Sequence, residues 1–225
     1  MSELIVMSGY PVLPVAIYPY KEDPLIRKMR VQAWFQAVTN ASKMTTRELE
    51  RAFREDDGRR VNRSCIWEKY RRGEVVPRSG PRPDGKANLV DRVEEAYPGT
   101  AKWLTLPLWR LADKAPMEMS EIRRSYESLP SLMKSLFIEK ALESGDVFWR
   151  ANTKKKDYDL LLKFSDLNGF TAVLTMFREA QCCQDREQYK KCFLMVQMYS
   201  ERLAHQPVTA GFIEKLCFYL SQSLD

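Results

Sequence analysis

Histidine occurs once in this 225-residue chain, at position 205, so the commonest general base and commonest metal ligand is nearly missing. Glu201 stands one helical turn before His205, but two ligands do not make a zinc site. The five cysteines (Cys65, Cys182, Cys183, Cys192, Cys217) are odd in number and include no C-x-x-C pair. Neither a disulfide framework nor a zinc ribbon is indicated, and they read as reduced, mostly buried thiols of a cytoplasmic protein. The nine glycines are scattered, and no G-x-x-x-x-G-K-[ST] phosphate loop occurs. Carboxylates are interleaved with bases at helical spacing, as on a solvated face. The expectation is a protein that is not an enzyme, with no catalytic residue, no cofactor and no metal.

Long apolar runs are also missing. Residues 9–20 are apolar, but Pro11, Pro14 and Pro19 interrupt them and no basic stretch precedes them. That pattern predicts neither a signal peptide nor a membrane span. Residues 1–22 are expected to form an extended proline-rich arm across the folded body.

What is present suffices for a core without staples: 44% hydrophobic and 11% aromatic residues, with 29% charged. The formal net charge is +6, and its distribution is uneven. Between Lys43 and Lys86 stand thirteen basic residues against eight acidic ones, an excess of five. Ten of those thirteen are arginine, whose planar fork suits phosphates and guanine edges.

Helix signals run along the whole chain. Asp23-Pro24 is an N-cap followed by proline at the first helical position, predicting a helix over 24–38 with Asn40 closing it. Thr45 and Glu48 fit a capping box for a helix over 45–55, with Leu49, Ala52 and Phe53 inward. A third helix is expected near 62–72 and stopped by Gly73, with Ile66 and Tyr70 buried and Trp67 at the margin. Two more follow at 88–97 and 100–111, the latter bent or split at Pro107. Beyond 112–116, helices are expected near 118–127, 130–143, 155–164, 168–183, 185–204 and 208–223. The fold class is all-α: a basic five-helix unit over 23–112 followed by an antiparallel helical bundle over 117–225.

Three segments of the front half share a pattern. Met44-Thr-Thr-Arg-Glu-Leu-Glu-Arg-Ala-Phe resembles the second helix of Cro/repressor-like helix-turn-helix regulators. Val61-Asn-Arg-Ser-Cys-Ile-Trp-Glu-Lys-Tyr-Arg-Arg-Gly-Glu-Val-Val-Pro77 resembles their recognition helix and its exit. Leu89-Val-Asp-Arg-Val-Glu-Glu-Ala-Tyr-Pro-Gly is similar to the helix that follows. The resemblance covers about 70 residues, and the loop over 55–62 is longer than the three- or four-residue turn usual in the motif. It implies DNA binding and transcription regulation of the bacterial or phage type.

The residues themselves fit that chemistry. Asn62, Arg63, Ser64 and Lys69 would face bases, since Asn and Arg match adenine and guanine edges. Arg47, Arg51 and Arg54 recur at about one helical turn, suited to phosphates. Arg60, Arg71 and Arg72 would continue the contact along the backbone. The bland alternative pairs these arginines with Glu48, Glu50, Glu55 and Glu68 on neighbouring turns. The first expectation is therefore a sequence-specific DNA-binding regulator, with RNA as a possible ligand. Its C-terminal helices would form a homo-oligomer or hold a protein partner. The other is a non-catalytic helical adaptor or subunit of a mobile-element or defence assembly. In it the basic face meets RNA, a nucleoprotein or an acidic protein.

Overall fold

The computed structural model describes residues 21–54, 65–80, 82–141, 148–150 and 154–222. The expected arm falls almost entirely outside them. Helix α1 (Pro24–Ser42) opens as its sequence requires: the Asp23 carboxylate accepts the Leu25 N–H at 2.7 Å, and Pro24 needs no partner for a missing N–H. It runs past the expected end at 38, because the left-handed turn falls on Lys43 (φ 58°), whose N–H reaches the Thr39 carbonyl. Asn40 does not close it. Its side chain accepts from Gln36 and donates to the Pro207 carbonyl.

Two sides of α1 are buried. Ile26, Met29 and Ala33 enter the larger apolar cluster, whereas Val31, Trp34, Phe35 and Val38 enter a smaller one. The smaller cluster is closed by α2 (Thr46–Ala52), α3 (Ile66–Arg72), α4 (Leu89–Ala96) and α5 (Lys102–Thr105), which contribute Leu49, Trp67, Tyr70, Val90, Val93 and Leu104. The larger is built on α10 (Leu167–Cys182) and α11 (Arg186–Ala204). Around them lie α6 (Leu108–Ala112), α7 (Met119–Glu127), α8 (Ser131–Lys134), α9 (Lys155–Leu161) and α12 (Ile213–Ser221).

Pro107 splits the expected helix over 100–111 into α5 and α6. Leu106, the residue before it, is forced to an extended ψ of 131°. The 112–116 segment, expected as a boundary, is tied down on several sides. The Asp113 carboxylate accepts the Asp23 N–H and the Ala115 N–H, each at 2.8 Å. Tyr219 donates to the other end of the same junction, the Asp23 carboxylate, at 2.9 Å. Arg178 donates to the Ala115 carbonyl. Leu108, Leu111 and Ala112 pack in the larger cluster, so α1 and α6 join it to the N-terminal helices.

The helical class expected from the sequence holds, with one departure. Where a helix over 130–143 is expected, α8 stops at Lys134 and the chain enters an antiparallel hairpin, β1 (Ile138–Ala141) with β2 (Phe148–Arg150). Met133, Leu136 and Phe137 have helical spacing and pack inward. Branched and aromatic residues on either side of Gly145-Asp146 carry the competing hairpin signal. The last helix starts at Ile213 rather than near 208, after a run of turns. The cysteines also differ from expectation: Cys192 is buried and Cys217 half-buried, but Cys65, Cys182 and Cys183 are exposed. Among the described residues no helix is long and apolar enough to cross a membrane.

Gly73 sets how closely α3 lies on α1. Its φ of +69° suits glycine, and a Cβ there would stand 2.6 Å from the Lys28 carbonyl oxygen, part of the α1 backbone. Gly73→Ala is expected to lower the unfolding free energy by about 2 kcal/mol or more, combining left-handed strain with a forced separation of the helices. Urea denaturation checks this; an unchanged midpoint would contradict the close approach.

Candidate nucleic-acid interface

The basic surface starts from two short helices that bury one side each. α2 is capped reciprocally: the Thr45 hydroxyl accepts the Glu48 N–H, and the Glu48 carboxylate accepts the Thr45 N–H at 2.7 Å. These bonds, the Thr45 backbone bond foremost, hold the Glu48 carboxyl below the usual glutamate range. Leu49 is fully buried, and at 100° per residue Arg47 and Arg51 lie on the far side of the helix from it. Arg54 follows just past the helix end. All three arginines are exposed and make no ion pair with a described residue. Glu48 stays ionised in the cap and interacts electrostatically with Arg51, one turn further along.

α3 is anchored by aromatic packing. Trp67 stacks on Trp34 at 5.6 Å between ring centroids, and Tyr70 meets Trp34 edge-on at 5.4 Å. Phe53, at the end of α2, closes on Trp67 from another side at 5.8 Å. Tyr70 is buried as expected, but the placing of Ile66 inward and Trp67 at the margin is corrected. Trp67 is the buried centre and Ile66 lies half-buried at the margin, because the large flat indole matches the Trp34 face. α3 also begins at Ile66 rather than near 62, since Cys65 takes a left-handed conformation (φ 47°) with no side-chain cap. The Trp67 N–H is instead bonded by the Glu50 carboxylate of α2, at 3.3 Å. That link joins α2 to the start of α3, and a carboxylate is favourable at a helix N-terminus.

The expected contact residues separate into three groups. Arg47 and Arg51 are exposed on the outer side of α2, and Arg54 is exposed just past its end. Lys69, Arg71 and Arg72 are exposed on α3, and of the three only Lys69 makes no ion pair with a described residue. Arg71 makes a two-pronged contact with Glu68 at 2.5 and 2.9 Å, and Arg72 reaches Glu68 at 3.2 Å and Glu74 at 3.5 Å. Arg60, Asn62, Arg63 and Ser64 lie outside the described residues. The Glu68 pairings are legible in the sequence as i, i+3 and i, i+4 spacings. The Glu50 contact is not, because it depends on how two helices meet.

Past α3, Val75 and Val76 are exposed, Pro77 is buried, and the exposed Arg78 lends its carbonyl to the Val90 N–H at 3.3 Å. A separate cleft of about 280 Å³ is lined by Glu22, Arg30, Leu104, Leu106, Trp109 and Arg110. Its polar groups are committed to structure. Arg30 grips Glu22 and the Leu104 carbonyl, and Arg110 grips Glu121 and the carbonyls of Ala115 and Pro116. Among the described residues no cluster of three His, Cys, Asp or Glu could hold a metal ion. His205 is exposed at the C-cap of α11.

No match identifies this arrangement. Compared with models of known protein families, with curated proteins and with solved structures, the chain matches none.

The Arg71 guanidinium is the main influence pulling the Glu68 carboxyl below the usual glutamate range, and Glu68 raises Arg71 in return. A depressed carboxylate adds stability above its unfolded pKa and loses it as pH falls through the folded value. By carbon-detected NMR titration, Glu68 should therefore protonate below the ordinary glutamate range, and Arg71→Ala should bring it back. An ordinary midpoint in the unmodified chain would contradict the pairing.

Proposed function

We propose that α2 and α3 form the nucleic-acid-binding face of a non-catalytic, sequence-specific DNA-binding regulator, with the C-terminal helices serving oligomerisation or a protein partner. One observation carries this reading: Arg47, Arg51 and Arg54 are exposed and make no ion pair with a described residue, with Leu49 buried behind the first two. Two cations one turn apart on a short, capped helix, and a third just past its end, present donors to phosphates. Lys69 and Arg78 extend the positive surface. Arg71 and Arg72 keep free donors beyond those held by Glu68, because a guanidinium has five N–H groups. Base reading falls to Asn62, Arg63 and Ser64 just before α3, where the helix-turn-helix resemblance assigns it.

The second reading, a helical adaptor whose basic face meets RNA, a nucleoprotein or an acidic protein, has its own support. Glu50 places negative charge at the start of α3, and Glu68 occupies two of the cations meant for the backbone. Leu132, Leu194, Met198 and Phe218 are exposed on the C-terminal helices.

The readings part on salt dependence and sequence dependence. Duplex binding followed by fluorescence anisotropy should weaken steeply between about 50 and 200 mM salt. Alanine at Arg47, Arg51 or Arg54 should weaken binding of all duplexes about equally and make the log K against log salt slope shallower by about 1 each. Arg63→Ala should instead lose about 1–3 kcal/mol on the preferred site alone. Absence of duplex binding at the lower salt would remove the DNA reading in favour of the adaptor.

A further inference from the structure

Helix α11 buries Cys192, Met195, Val196, Tyr199 and Leu203 on one side, and carries a different pattern on the other. Leu194 is 60% exposed and Met198 41%, although both are large and apolar. Four residues apart, they lie side by side on the outer face. Lys191 and Glu201 flank them toward the two ends of the helix. Both are exposed, and neither makes an ion pair with a described residue. At 100° per residue these four positions fall within an arc of about 80°.

The spacing of the four has a symmetry. Leu194 and Met198 are centred on position 196, and so are Lys191 and Glu201. A two-fold axis perpendicular to the helix at that level sets each residue against the one equally far on the other side in a second copy. We propose that the outer face of α11 pairs antiparallel with the same face of a second copy of this chain, across such an axis level with Val196. Leu194 of each copy then covers Met198 of the other, and Lys191 of each meets Glu201 of the other, so every contact forms twice. A parallel pairing would set Lys191 against Lys191 and Glu201 against Glu201, which disfavours it. The remaining like-charged positions at matching levels are tied within their own chain. Lys190 is 3.9 Å from Glu187, and Arg202 donates to the Leu162 carbonyl.

The pairing stands on α11 alone and does not rest on the nucleic-acid reading. If both hold, the dimer presents two copies of the α2–α3 surface. The core of the contact is the Leu194–Met198 apolar centre, with the charge pairs fixing its direction.

Sedimentation equilibrium of the full chain tests it. The unmodified protein should be a dimer that dissociates on dilution. Leu194→Glu, at an exposed position, should give a monomer with unchanged helical circular dichroism and melting temperature. Lys191→Glu should weaken the dimer about tenfold by creating two Glu–Glu contacts. Adding Glu201→Lys to Lys191→Glu should return the dissociation constant to within about twofold of the original. A chain that stays monomeric at all concentrations, a dimer indifferent to Leu194→Glu, or a charge swap that fails to rescue would each overturn the proposal.

Discussion

Helix α1 is asked to bury two faces at once, and the arrangement of the other helices follows from that demand. Ile26, Met29 and Ala33 fall on one side of its cylinder, Val31, Trp34, Phe35 and Val38 on another. A surface helix buries a single stripe. This one is covered by α6 and α12 on the first side and by α3 and α5 on the second. Trp34 is the centre of the second side: the stack with Trp67 and the edge contact with Tyr70 bring α3 onto α1, and Gly73 lets the backbones approach. The N-cap of α1 is shared as well, since Asp23 is bonded to Asp113 and Tyr219.

That packing explains why two seven-residue helices stand firmly enough to present cations. Isolated helices of this length are unstable in water, so α2 and α3 owe their order to tertiary contacts and caps. Leu49 pins α2 from below, the Thr45–Glu48 box closes its start, and Glu50 fastens it to α3. These contacts hold α2 by Leu49 and its two glutamates and leave Arg47 and Arg51 on the outer side. Within α2 two arginines stand beside two glutamates, while α3 carries Lys69, Arg71 and Arg72 against Glu68 alone, which pairs with both arginines.

Features governed by local chemistry were legible in the sequence. The Asp23-Pro24 start, the Thr45 capping box, the stop at Gly73 and the break at Pro107 each depend on neighbours within a few residues. Some misreadings are local, as at Lys43 and Cys65, and others lie where distant groups decide. Whether Ile66 or Trp67 is innermost is settled by Trp34, more than thirty positions away. The stretch from Met133 to Phe137 has a helix's apolar spacing, yet the chain continues as a strand because β2 pairs with it. Of the candidate contact residues, the Arg47, Arg51 and Arg54 row was readable from periodicity. The neutralisation of Arg71 and Arg72 was readable too, but only as an alternative that spacing alone does not select.

The claim that α2 carries the nucleic-acid contact is tested most directly by hydrogen–deuterium exchange of the full chain with and without a DNA duplex at low salt. Phosphate binding across the Arg47, Arg51 and Arg54 row would slow exchange of the backbone amides of α2 and the start of α3, and leave the α7 amides unchanged. Protection confined to the C-terminal helices, or no protection under conditions where the duplex is bound, would contradict the account and move the contact to another face.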